Sequence, residues 1–226
     1  GVHFDRNKET DCLHFLRKVP DSCLYDDVTG VILAGGRGRR MGMVDKGLQL
    51  LKGKPMVEHV IDRLRPQVST LMINANRNTE AYATFGYPVY ADDPMDFSGP
   101  LAGFLTGLRH CKTLYLVTAP CDAPFLSRHL VEDLYRALDG KRADLAVAVS
   151  RADEYCQIQP VFCLMKASLA SHLENYLKNG GHKIDEWYAS LNVATASFDD
   201  LHAFENVNTP DELKRLQDLS DNDTGR

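Results

Sequence analysis

The chain has 226 residues, 44% of them hydrophobic and 25% charged, with a net charge of −5. That length and apolar share suffice for one large α/β domain with a real core, and no run of roughly 18 apolar residues offers a membrane span. The acidic balance argues against a general nucleic-acid binder, which needs a basic face.

Residues 1–27 are polar and mixed in charge, and read as an arm that Leu13, Phe15, Leu16 and Leu24 could anchor to a surface. They lack the apolar centre of a secretion signal. The six cysteines (Cys12, Cys23, Cys111, Cys121, Cys156 and Cys163) are scattered, with no C-x-x-C pair. That spacing suits neither a disulfide framework nor a zinc site, so reduced thiols in a cytoplasmic protein are expected.

From Val28 the pattern becomes regular. "VTGVILAGG" is a buried strand of β-branched residues ended by glycines. "PMVEHVIDRL" opens on a proline and sets Met56, Val57, Val60, Ile61 and Leu64 at helical spacing. Then follow a strand in "VSTLMINAN", a short helix in "TEAYATFG" closed by Gly86, and a strand in "YPVYADD". "GPLAGFLTGLRHC" is a helix, "TLYLVTAPCDAP" a strand running into a loop, and "SRHLVEDLYRALD" a helix capped by Ser127. Strands are expected in "ADLAVAVS" and "CQIQPVFCLMK", a helix in "ASLASHLENYLKN" and a strand in "VATASF". "NVNTPDEL" opens a last helix at Thr209 and Pro210, and the end, 220–226, reads as a disordered tail. Alternating strands and helices over 28–219 predict a three-layer α/β domain: an open, mostly parallel sheet, Rossmann-like, with helices on both faces. Such sheets bind ligands at the carboxyl ends of their strands.

"LAGGRGRRMG", Leu33 to Gly42, follows the first strand. Glycines there leave backbone amides free to face phosphates. Two familiar loops fail: the third glycine of a dinucleotide fingerprint would fall on Met41, and the Gly-Lys-Ser/Thr of a P-loop is missing. From Arg37 to Lys54 six cations stand against Asp45 alone, a basic island suited to a compact polyanion such as a triphosphate. On the residues alone, a glycine-rich turn with arginines in solvent remains open. Asn74 could likewise cap a turn, and Asp92 and Asp93 could begin one. Asp122, between prolines at the end of an apolar strand, is placed either as a magnesium ligand or as a turn cap. Cys121 beside it is the less favoured choice of a nucleophile.

The string "LAGGRGRRMGMVDKGLQLLKGKPMVEHVIDRL" resembles the nucleotidyltransferase pattern L-A-G-G-x-x-x-R-M-G-x-x-D-K-x-L followed by G-K-P. In detail it resembles the molybdenum cofactor guanylyltransferase (MobA) family. "INANR", "DFSGPLAG", "PCDAPF" and "NVNTPDEL" follow in the family's order, so the resemblance spans about Thr29 to Leu216. It implies transfer of GMP from GTP to the phosphate of molybdopterin-bound molybdenum cofactor, releasing pyrophosphate, with magnesium as cofactor. Such chemistry needs charge neutralisation and alignment more than a protein nucleophile. Leu33, Ala34 and Gly35 would meet the nucleotide through their backbone, while Gly36, Gly38, Arg40 and Lys46 would hold the triphosphate. Asn74 would read the purine edge, Asp92 would bind the guanosine through base or ribose, and Asp122 would bind the metal. Asn206 and Asn208 are weaker candidates for metal or pterin contact. Molybdoenzyme clients or chaperones are implied partners, with no nucleic acid and no membrane. The alternatives are a sister enzyme using CTP or a sugar-phosphate acceptor, and a silent nucleotide-binding protein. The cytidylyl relatives usually carry L-A-A-G, so Gly35 favours guanine.

Overall fold

The computed structural model describes residues 21–35, 45–93, 99–207 and 210–223. Strand β1 (Val28–Leu33) is buried on both faces, and its apolar side chains divide by the period of two. Val28 and Ile32 enter one apolar cluster, Val31 the other. The remaining strands are β2 (Leu50–Leu51), β3 (Lys54–Pro55), β4 (Thr70–Asn74), β5 (Val89–Tyr90), β6 (Tyr115–Pro120), β7 (Leu145–Ala152), β8 (Tyr155–Lys166) and β9 (Val193–Phe198). Seven of them form one sheet in the order β5-β4-β1-β6-β8-β7-β9. β1 pairs in parallel with β4 and β6, β4 with β5, and β7 with β9. β8 runs antiparallel to both neighbours. The sheet is therefore mostly parallel, as expected, with one reversed strand.

The helices are α1 (Asp21–Asp26), α2 (Met56–Leu64), α3 (Thr79–Ala83), α4 (Pro100–His110), α5 (Leu130–Lys141), α6 (Ala170–Lys178), α7 (Ile184–Ala189) and α8 (Pro210–Asp223). Apolar stripes of α2 (Val57, Val60, Ile61, Leu64) and α5 (Leu130, Val131, Leu134, Leu138) cover one face of the sheet. On the other face α4 supplies Leu101, Phe104, Leu105 and Leu108, α6 Leu173 and Leu177, and α7 the fully buried Trp187. Trp187 meets Phe104 edge-on. Among the described residues no helix is long and apolar enough to cross a membrane.

Several local expectations change. Ser127 is not the N-cap of α5; His129 is, and the Ser127 hydroxyl instead accepts a hydrogen bond from the His129 amide at 3.2 Å. The stretch expected to be a disordered tail begins inside α8, which runs to Asp223. The end of the arm is tied into the fold. Leu24 packs on the first cluster, Arg65 donates to the Tyr25 hydroxyl at 3.1 Å, and the Tyr115 amide donates to the Asp27 carbonyl at 2.9 Å. α7 and the β2–β3 hairpin carry no strong sequence signal, being six residues and two short strands. That hairpin turns through Lys52 and Gly53, both at positive φ, the backbone a two-residue turn requires.

Candidate active site

Because β1, β4, β5 and β6 run parallel, their carboxyl ends share one edge. There the register sets Leu33 opposite Asn74 on one side and Pro120 on the other. The Ala34 amide donates to the Asn74 carbonyl at 2.8 Å, and the Cys121 amide to the Leu33 carbonyl at 3.0 Å. Residues 33–35, 74–76 and 120–122 are thus stitched side by side.

At the β4–β5 end a polar group gathers around Asp92. Asn74 is buried, and its side-chain nitrogen donates to the Tyr90 carbonyl at 3.1 Å and to Asp92 Oδ1 at 2.9 Å. Thr106 of α4 donates to the same oxygen at 2.5 Å. Asn76 donates to Asp92 Oδ2 at 2.9 Å, and its own Oδ1 accepts from the Asp92 amide at 2.7 Å. Asp93, by contrast, is exposed. Two glycines line this group closely. A Cβ on Gly35 would stand 3.0 Å from the Asn76 amide nitrogen, and one on Gly103 would stand 2.7 Å from both Asn74 Oδ1 and a Leu33 methyl. Neither position has room for a side chain without displacing the group.

At the β6 end a second group forms. Lys46 opens a single 3-10 turn, and its ammonium lies 3.9 Å from the carboxylate of the buried Asp122. Burial raises the Asp122 pKa; Lys46 and a backbone hydrogen bond oppose this, and Glu212 of α8 adds to it. The neighbouring Cys121 thiol is pushed well up, by burial first and then by the charges of Asp122 and Asp45. It is therefore held neutral, which suits a packed thiol and not a nucleophile. Val207 ties the chain before α8 to this loop, its amide donating to the Asp122 carbonyl at 3.1 Å. Next to it, the side-chain oxygen of Asn206 is buried without a hydrogen-bond partner among the described residues. Gly36, Gly38, Arg40, Asn208 and the Thr209 cap lie outside the described residues.

The edge therefore presents a carboxylate-centred polar group at one end and a cation beside a buried carboxylate at the other. Asn76, Thr106 and Asp45 escape the sequence reading. Asn76 and Thr106 hydrogen-bond to Asp92, and the spacing of Asn76 two residues beyond Asn74 was the one sign in the sequence.

A family model for the MobA-like NTP transferase domain matches residues 30–193. The chain is 56% identical over 190 residues to the molybdenum cofactor guanylyltransferase of Cupriavidus necator, covering 84% of this chain and 96% of that relative. It is 50% identical over 192 residues to the protein of that name from Polynucleobacter asymbioticus, covering 85% and 96%. Among solved structures, molybdopterin-guanine dinucleotide biosynthesis protein A from Archaeoglobus fulgidus superposes with a TM-score of 0.68 at 28% identity, covering 86% of this chain and 99% of that one. The 4-diphosphocytidyl-2C-methyl-D-erythritol synthase of Anaerococcus prevotii gives a TM-score of 0.68 at 12% identity, covering 87% and 99%, and shares the fold. With its parallel edge, its paired polar groups and these relatives, the chain belongs to the MobA-like NTP transferase family.

Proposed function

We propose that the protein transfers GMP from GTP to the phosphate of molybdopterin-bound molybdenum cofactor, releasing pyrophosphate and giving the guanine dinucleotide cofactor. The relatives' shared name supports the reaction, and one feature of the site supports the base. The Asn74 side-chain nitrogen spends its two N–H groups on the Tyr90 carbonyl and Asp92, and Asn76 spends one on Asp92. Oxygens therefore outnumber donors among the groups left for a base: the Asp92 carboxylate and Asn74 Oδ1. Guanine carries donors at both N1 and N2, whereas adenine and cytosine each put an acceptor in the corresponding region. A lining richer in acceptors therefore favours guanine and leaves the others' acceptors unpaired.

In this reading the backbone of Leu33, Ala34 and Gly35 borders the nucleotide. Lys46 acts on the triphosphate as a point charge, joined by the loop residues Gly36, Gly38 and Arg40. An oxygen of the acceptor phosphate forms a bond to the α-phosphorus. The bond from that phosphorus to the bridging oxygen breaks, and pyrophosphate leaves with the electron pair. Asp122 and Asn206, with Asn208 a further candidate, would hold magnesium. Their hard oxygen donors suit it, and the unpartnered Asn206 oxygen lies next to the residue that binds the Asp122 loop. Magnesium, when bound, offsets the negative charge that the phosphates gather in the transition state.

Calorimetry with magnesium and each of GTP, CTP and ATP checks the base choice. GTP should bind more tightly by roughly tenfold to a hundredfold, the range that unpaired buried polar groups impose. Equal affinities would remove the guanine assignment and leave the wider family.

A further inference from the structure

Lys46 sits on one 3-10 turn, Lys46–Leu48, too short to hold a long side chain by its own stiffness. Asp45, just before it, is 9% exposed and takes three neutral donors among the described residues. The Gly47 amide donates to Oδ1 at 3.2 Å, Asn78 to Oδ2 at 3.2 Å, and the Tyr82 hydroxyl to Oδ1 as well. Burying a carboxylate among neutral partners is costly, and a core packed only for stability would avoid it. Tyr82 comes from α3 (Thr79–Ala83). The ring is fully buried, and its hydroxyl borders Gly47, as does Cys121, the residue before Asp122. A Cβ on Gly47 would overlap that hydroxyl and stand 3.1 Å from the Cys121 Cβ and Sγ. The phenol thus holds the residue before Lys46 directly, and through Gly47 it packs toward the residue before Asp122.

We propose that Tyr82 and Asp45 are positioning residues that set the separation and aim of Lys46 and Asp122, the phenol acting as the spacer between their two loops. The proposal rests on the assignment of Lys46 to the triphosphate made above. Neither residue reaches the substrate in this account. Asp45 orients the turn that carries Lys46. Tyr82 fixes Asp45 through its hydroxyl, and with Gly47 it fills the space up to the Cys121–Asp122 loop.

The test is Tyr82→Phe in the full chain, which keeps the ring and removes only the hydroxyl. Tyr188→Phe is the matched control: Tyr188 is also buried and donates to the Pro160 carbonyl, outside either group. Lys46→Ala is measured alongside. The readouts are the thermal midpoint and the calorimetric affinities for GTP and CTP with magnesium. Both tyrosine variants should lose a similar amount of stability. Only Tyr82→Phe should weaken nucleotide binding, roughly tenfold, the scale of a misplaced positioning contact. It should weaken GTP and CTP by the same factor, because the base pocket is untouched. If Tyr82→Phe binds both nucleotides normally while Lys46→Ala does not, the positioning role is wrong and the Lys46 assignment stands. If Lys46→Ala also binds normally, both fall. If Tyr188→Phe weakens binding as much as Tyr82→Phe, the effect is general loosening and the proposal is overturned.

Discussion

At the scale of single residues, Asp122 shows how function and stability pull apart. Its folded-state pKa is raised, chiefly by burial, so the folded protein binds that proton more tightly than the unfolded chain. The resulting stability is fully present below the ordinary carboxylate range and is lost as the pH rises through the raised pKa. At neutral pH the ionised carboxylate is therefore a cost to the fold. Asp122→Asn should melt higher than the parent at pH 7 without nucleotide, by about 2–4 °C for each kcal/mol relieved in a chain of this size. That gain should shrink as the pH falls. The same substitution should slow turnover on the order of a hundredfold, about 3 kcal/mol of transition-state stabilisation. A pH series of melts and a pyrophosphate-release assay check both halves. A variant that is less stable at pH 7, or that turns over normally, would contradict this account of Asp122.

At the scale of elements, the arm divides at α1. Leu24, Tyr25 and Asp27 contact the body of the domain, whereas the family model begins at residue 30. Removing residues 1–20 should leave both the thermal midpoint and GTP affinity nearly unchanged. Removing residues 1–27 should cost about 1–3 kcal/mol, through the lost Arg65–Tyr25 hydrogen bond, the Leu24 packing and the unpaired Tyr115 amide. GTP affinity should still survive in the folded fraction. Melts and titrations of the two truncations separate these outcomes. The long periodic elements were legible because their apolar residues repeat: Val57, Val60, Ile61 and Leu64 announce α2. α7 and the β2–β3 hairpin were not, because six residues and two-residue strands carry too little periodicity to stand out. The reversal of β8 was also hidden, since an apolar run such as "VFCLM" reads alike in either direction.

At the scale of the whole molecule, the strand ends of one parallel edge assemble the site, as open α/β sheets do. The placement of Asn74, Asp92 and Asp122 at strand ends, and of Lys46 near Asp122, was readable because each follows a strand or a motif. The glycine turn beyond Gly35 lies outside the described residues. Asp45, Tyr82, Asn76 and Thr106 were not readable, because their roles lie in contacts across 14 to 37 residues of chain. Tyr82 in particular reads as an ordinary core aromatic until its hydroxyl is placed on Asp45.

The most direct test of the account supplies the purified protein with magnesium, molybdopterin-bound molybdenum cofactor and one nucleotide at a time. Pyrophosphate release and the dinucleotide product are followed together. The account predicts that GTP alone supports rapid release matched by one guanine dinucleotide cofactor per pyrophosphate. Equal or faster turnover with CTP, or release of pyrophosphate from GTP without that product, would contradict it.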